Sequence, residues 1–180
     1  MAPPISRGAF RRFHPNDEQE TAKSTGAGNN PVIARPGTEA VYTEGMSEAD
    51  VALVRQAVES FGRNDRDSAW GLWAADGTMN APKEWPEAAS STGLDQIRRV
   101  FDGFDEAFGP NWPRDMTAKR FTDSGGGRVL VEYDWRPSGA ASGASVDQQI
   151  SGVYTVRDGR IIHADFFTSH EEGRKAAGLE

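Results

Sequence analysis

The sequence predicts an α+β fold over Ser47 to Glu180, a strongly bent antiparallel sheet wrapped on three helices, with a short fourth helix at the C-terminus. Two observations predict it. Apolar residues recur at helical spacing as far as Phe108 and alternate with polar ones from about Met116 onward, and helices followed by strands belong to that class. Asp158 and Gly159 separate the alternating runs VYTVR and RIIHADFF. An Asp-Gly pair between such runs is the strongest short-range hairpin signal, because both turn residues take positive φ.

Residues 1–46 precede that fold. They mix Pro, Gly, Asn, Ser and Thr without a period, as in STGAGNNP, and are expected to form a disordered tail. Arg7, Arg11 and Arg12 beside Phe10 and Phe13 suggest a transit peptide, but Asp17, Glu18 and Glu20 follow at once and such peptides are poor in acids.

Ser47 with Asp50 forms a capping box for the first helix, whose stripe is Val51, Val54, Val58 and Phe61 and whose end falls near Asn64. Asp67 is expected to cap a second, short helix, SAWGLWAA, carrying Trp70 and Trp73. GTMNAP reads as a short strand stopped by Pro82, and KEWPEAASS as a loop bearing Trp85. Thr92 with Asp95 repeats the capping box and opens a third helix, on which Ile97, Phe101, Phe104 and Phe108 line up before Gly109-Pro110 ends it. An aromatic stripe at helical spacing is core, and where the helix walls a cavity it also lines the ligand. MTAKRFT and RVLVEYDWR are strands joined by an SGGG turn, and Arg136 to Ala144 is a Gly/Ser/Ala-rich loop. Ser169 with Glu172 caps the last helix.

The Asp-Gly turn also fixes a register. With Arg157 opposite Arg160, Val156 meets Ile161, Tyr154 meets His163, Gly152 meets Asp165 and Ile150 meets Phe167, all on one face. Asp165 is therefore expected on the floor of an aromatic pocket, with Gly152 leaving space above it. The alternate residues Val153, Ile162, Ala164 and Phe166 form a second apolar face, expected to be the interface of a homodimer.

The stretch VYTVRDGRIIHADFFTSHEEGRKAAGL resembles the last hairpin and terminal helix of SnoaL-like domains of the nuclear transport factor two superfamily, and the resemblance extends over roughly residues 47–180. It implies a cone-shaped sheet around the helices, with a hydrophobic pocket inside. The superfamily includes ketosteroid isomerase, limonene-epoxide hydrolase, polyketide cyclases, a transport factor and many members of unknown function, so the fold alone names no activity. His163-Ala164-Asp165-Phe166-Phe167 aligns with the W-R-D-Y-F of limonene-epoxide hydrolases and several cyclases, whose Asp is a proton donor. Two departures matter. The hydrolase's Arg-x-Asp falls on Tyr133 and Trp135, so its water-activating set is incomplete. The isomerase's base, which directly precedes the proline after the first strand, is replaced by Ala81, with Asn80 beside it.

Composition narrows the partners. The formal charge is −7 and the isoelectric point about 5.0; Lys and Arg balance Asp and Glu over residues 1–46, so the acidic excess lies in the folded part. Phosphate backbones are repelled by such a surface, and nucleic acid is excluded as a partner. No apolar run approaches the ~20 residues of a membrane span. With no cysteine, disulfides and thiolate chemistry are excluded, and the cytoplasm is the expected compartment. His14, His163 and His170 are too dispersed for a ligand cluster, and no cofactor or metal is expected.

The candidate catalytic residues are Asp165 and His163. A carboxyl in an apolar cavity has its neutral form favoured, which suits an acid/base; as a structural acceptor tied to neighbouring backbone it needs no such role. His163 shares the face of Asp165 and packs on Tyr154, while His170 is expected to be exposed in the first turn of the last helix. The expected ligand-binding residues are Trp73, Asn80, Trp85, Phe101, Phe104, Tyr133, Trp135 and Tyr154. Three functions stay open: a cofactor-free enzyme of the polyketide-cyclase or isomerase type acting on a hydrophobic ring or carbonyl compound, a non-catalytic binder of a small apolar molecule, and a dimerisation module. An enzyme brings at least two convergent titratable groups to one cavity, and a binder needs one or none.

Overall fold

A computed structural model describes residues 39–85, 90–136 and 147–179, the first eight of them by backbone alone. Helices α1 (Glu39–Gly62), α2 (Arg66–Trp70) and α3 (Leu94–Phe108) precede most of the sheet, and α4 (His170–Ala177) follows it. The strands are β1 (Trp73–Asn80), β2 (Ser90–Thr92), β3 (Met116–Gly125), β4 (Arg128–Trp135), β5 (Gln148–Arg157) and β6 (Arg160–Phe167). They form one open, curved sheet in the order β2-β1-β6-β5-β4-β3. The α+β class is as expected, with one difference. The sheet is mixed, because β1 runs parallel to β6 while every other neighbouring pair is antiparallel.

Several element boundaries differ from the sequence reading. Helix α1 begins at Glu39, inside the stretch expected to be an unstructured tail; the rest of that tail lies outside the described residues. Once a helix is nucleated each added residue contributes a hydrogen bond at little cost, so α1 runs through Ser47 instead of starting there. Ser47 accordingly caps nothing and hydrogen-bonds Asp123 at the end of β3. Helix α2 is capped by Asp65, whose side chain accepts from the Ser68 amide, and it stops at Trp70. Trp73 and Ala74 therefore open β1 rather than continue a helix. Gly93, not Thr92, is the N-cap of α3. The expected loop at Lys83–Ser91 ends in the short strand β2, with residues 86–89 outside the described residues. The expected loop after Arg136 also lies outside them.

The core sits on the concave face of the sheet. Ile97, Val100, Phe101 and Phe104 of α3 are buried as their spacing predicts, and meet Val129, Val131, Tyr133 and Trp135 of β4 with Tyr154, Ile161 and Phe166 of the hairpin. A 3-10 turn, Trp112–Asp115, adds Trp112, whose ring lies parallel to that of Phe101. Each buried aromatic side chain of this kind removes some 150–250 Å² from water. On the convex face, α4 covers β4 and β5 through Leu130, Val153 and Ala177. Its N-cap is Ser169, which accepts from the Glu172 amide as expected. Among the described residues no helix is long and apolar enough to cross a membrane.

Candidate functional site

The hairpin turn forms as predicted: Asp158 and Gly159 both have positive φ, and Arg157 faces Arg160. One pair later the register changes. Val156 meets Ile161, but Thr155 meets His163, so Ile162 is the extra residue of a β-bulge. From there on every expected pairing is displaced: Tyr154 meets Ala164, Gly152 meets Phe166 and Val153 meets Asp165. A one-residue slip exchanges the two faces of a strand. Ile161, Ala164 and Phe166 therefore point into the core, while His163, Asp165 and Phe167 stand on the convex side, less buried.

Free energy explains the bulge. The unbulged register buries an imidazole and a carboxylate among aromatic rings, and an unpaired buried charge costs several kcal/mol. The bulge replaces them with Ile161, Ala164 and Phe166 for the loss of a local ladder bond. Gly152 leaves room for rings instead of opening a path to Asp165. A Cβ there lies 2.9 Å from the Tyr154 ring and 3.2 Å from that of Phe166.

Two expectations fall with that register. Asp165 is not on the floor of the core cavity, and His163 does not pack on Tyr154. The second apolar face expected to seal a homodimer does not form either, since Ala164 and Phe166 are in the core and Val153 lies under α4.

The expected ligand-binding residues separate into two places, with Asn80 in neither. Trp73, Phe101, Tyr133 and Tyr154 line an inner cavity of about 40 Å³ beside Trp70 and Phe166. The hydroxyls of Tyr133 and Tyr154 are 2.7 Å apart. Burial pushes both phenols above their ordinary value, with the neighbouring Tyr154 adding to the effect on Tyr133, so both are neutral donors at neutral pH. One hydroxyl donates to the other. No second partner for either stands among the described residues, which leaves one O–H to donate further.

Trp85, Phe104 and Trp135 line the other place, a groove of about 640 Å³ at the end of the sheet where β4 stops and β5 starts. Phe108 completes its aromatic wall, and Glu84, Asp147, Gln148, Gln149 and Thr168 form a polar rim. Trp85 packs edge-on against Phe104 at 4.9 Å and beside Phe166 at 5.2 Å. These rings separate the groove from the inner cavity. The Nε1–H of Trp135, buried, has no hydrogen-bond partner among the described residues. Sequence reasoning found Trp135 and missed Phe108 as a groove residue, although Phe108 completes the α3 stripe.

On the convex face His163 and Asp165 do meet, with Nε2 and Oδ2 3.0 Å apart. Thr78 and Asn80 join them from β1. His170 is not exposed: its Nε2 donates to the Tyr133 carbonyl at 2.9 Å, and its Nδ1 is 3.8 Å from Glu132. Glu132, buried beneath α4, is also 2.6 Å from Arg174 and 3.6 Å from Arg120. Sequence reasoning missed this acid; its signal is a lone Glu at an outward position of the apolar run RVLVEYDW. Among the described residues no group of three or more His, Cys, Asp or Glu side chains is arranged to hold a metal ion.

A family model described as a SnoaL-like domain matches residues 54–164. Several solved structures share the fold. Bal32a, from a soil-derived mobile gene cassette, is 18% identical over 68% of this chain and 90% of its own, with a TM-score of 0.59. An NTF2-like protein of unknown function from Burkholderia pseudomallei is 18% identical over 71% of this chain and 95% of its own, with a TM-score of 0.58. TerC, co-crystallized with polyporic acid, is 13% identical over 72% of this chain and 98% of its own, with a TM-score of 0.57. At these identities the likeness is one of fold. No curated protein matches the chain.

Proposed function

The chain belongs to the SnoaL-like domain family, and from that premise we propose that it binds a small, largely apolar ring compound in the aromatic groove. Volume and lining together select the place, since the other surface hollows of comparable size, beside Arg55 and Glu59 on α1 and beside Arg66 and Asp102, are walled mostly by charged side chains. Ligand pockets measure about 300–1,000 Å³; the groove, at about 640 Å³, falls in that range, and the inner cavity, at about 40 Å³, holds only a few waters. The observation that carries the proposal is Trp135, a groove-lining residue whose buried N–H has no partner among the described residues. A buried unpaired donor costs about 1–3 kcal/mol, so a ligand with a carbonyl or ether oxygen in reach of that N–H gains what the free protein forgoes. TerC, co-crystallized with polyporic acid, is a precedent for a small organic molecule on this fold.

Binding is favoured over acid/base catalysis by what the lining lacks. Among the described residues the inner cavity offers only neutral tyrosines, and the groove offers two rim carboxylates, one of which, Asp147, is 3.0 Å from Arg136. Two convergent titratable groups are missing, and Asp165 stands on the opposite face of the sheet. Titration with a panel of aromatic ketones and quinones, read from tryptophan fluorescence, tests the proposal. Saturable quenching is expected, with affinity weakened roughly threefold to tenfold in Trp135→Phe, the worth of one hydrogen bond. No saturable change across the panel overturns it.

A further inference from the structure

We propose that Thr78, His163 and Asp165 form a second reactive site on the convex face, in which Thr78 is a nucleophile that takes an acyl group from activated carboxylic esters. The parallel register of β1 and β6 sets Thr78 opposite His163 and Asn80 opposite Asp165. Thr78 Oγ1 is 2.6 Å from His163 Nδ1, and His163 Nε2 is 3.0 Å from Asp165 Oδ2. Behind them, Asp165 Oδ1 accepts from Asn80 Nδ2 at 2.6 Å, and Asn80 Oδ1 accepts from Ser90 Oγ at 2.7 Å.

The proton positions follow. A carboxylate only accepts, so His163 carries its proton on Nε2 and donates it to Asp165, which leaves Nδ1 to accept from the Thr78 hydroxyl. The competing acceptor for that hydroxyl, the Ile162 carbonyl, is at 3.5 Å. Hydroxyl, imidazole and carboxylate in that sequence are the parts of nucleophilic acyl transfer, recognised by geometry and role and not by order in the chain. A merely solvated face has no need of this continuity. Side-chain to side-chain bonds are a minority of protein hydrogen bonds, roughly 10–15%, yet four of them run unbroken here across three strands. The site is also open, with the side chains of His163 and Asp165 28% and 35% exposed.

In the reaction, Thr78 Oγ1 bonds to the ester carbonyl carbon as its proton passes to His163 Nδ1. The imidazolium is stabilised against Asp165. The alkoxide or phenolate leaves with the electron pair of the broken C–O bond, and the acyl group stays on Thr78 as an ester. Thr92, paired with Thr78 across β1 and β2, supplies a hydroxyl on the same face for the oxyanion. This site is on the other side of the sheet from the aromatic groove, so it stands or falls independently of the ligand proposed there.

The test is incubation of the full chain with p-nitrophenyl acetate, following nitrophenolate release and mapping the label by peptide mass. A burst with acetyl on Thr78 is expected. Thr78→Ser should retain it, Thr78→Val should abolish it, and His163→Gln should slow it at least about 100-fold, the scale of general-base assistance. Circular dichroism checks that each variant is folded, and the label on the unmodified chain is decisive without them. Acetyl found only on lysines, on the amino terminus or on His163 overturns the proposal, as does a Thr78→Val burst equal to the original.

Discussion

The two faces of one sheet solve different problems. The concave face gathers Trp73, Tyr133, Trp135, Tyr154 and Phe166 against the α3 stripe; the two tyrosine hydroxyls pair with each other, and the Trp135 N–H has no partner among the described residues. The convex face is divided: its β4–β5 half is closed by α4 over Leu130, Val153 and the buried Glu132, whereas its β1–β6 half is a half-exposed polar network. A single bulge at Ile162 decides which residues of β6 face the core and which join that network. Function read from a strand therefore depends on register before it depends on residue type.

The largest difference between the faces should appear in stability. Phe104 is 3% exposed and packs against Trp85, Phe108, Trp112 and Trp135. Phe104→Ala is expected to cost about 3–5 kcal/mol, a deleted aromatic plus the cavity it leaves, measured by urea unfolding. A loss below ~1 kcal/mol would mean that the concave face is not a packed core.

Next in size is the closed half of the convex face. A Cβ on Gly173 of α4 would lie 2.1 Å from Ser151 Oγ and 2.5 Å from Ser151 Cβ, closer than atoms pack. Ser151 is itself held by its bond to the Ser169 carbonyl at 2.6 Å. Gly173→Ala should cost roughly 1–3 kcal/mol, the range for overpacking, and Ser151→Gly should return part of it in the double variant. Additive losses would show that α4 does not sit on Ser151.

Much of this was legible in the sequence. Asp158-Gly159 marked the hairpin, the Ile97-to-Phe108 spacing marked α3, and Ser169 marked the start of α4, because each is a local signal whose physics is complete within a few residues. β1 was legible only in its second half, GTMN, since WAAD neither alternates nor carries a β-branched run and its WAA reads as the end of a helix, and the strand's parallel pairing depends on β6 far along the chain. The bulge was hidden for a different reason: the doublets Ile161-Ile162 and Phe166-Phe167 put apolar residues on both faces of RIIHADFF and so support two registers, and only the cost of burying His163 and Asp165 chooses between them. Weighing that cost was the available signal. It also separates the tryptophans, whose inward place needs only a strand or helix face, from Asp165 and Asn80, whose place needs the register.

The tyrosine pair gives a smaller and pH-dependent contrast. Both phenols have folded-state values raised above 10.0 by burial. Their contribution to stability is complete below the unfolded-state value and is lost as pH rises through the interval up to the folded one, because the unfolded chain gives up protons that the folded chain keeps. Stability should therefore decline above about pH 10, with a slope that Tyr133→Phe reduces by roughly one proton. An identical slope in that variant would place the two hydroxyls in solvent.

The smallest expected effect is also the sharpest test of which face is which. Asp165→Asn keeps the shape of the side chain and removes its charge, and its partners His163 and Asn80 stand on the half-exposed convex side. Exposed pairs of this kind contribute roughly 0–1 kcal/mol, so urea unfolding should shift by no more than that. The fluorescence titration of the aromatic groove should give an unchanged affinity, because the sheet itself lies between the substituted side chain and the ligand. Without the bulge the same substitution strikes the centre of the concave face: replacing a buried carboxylate by an amide would then alter stability by several kcal/mol and ligand affinity by tenfold or more. Either change would restore the unbulged register, and with it the pocket floor that alternation alone suggested.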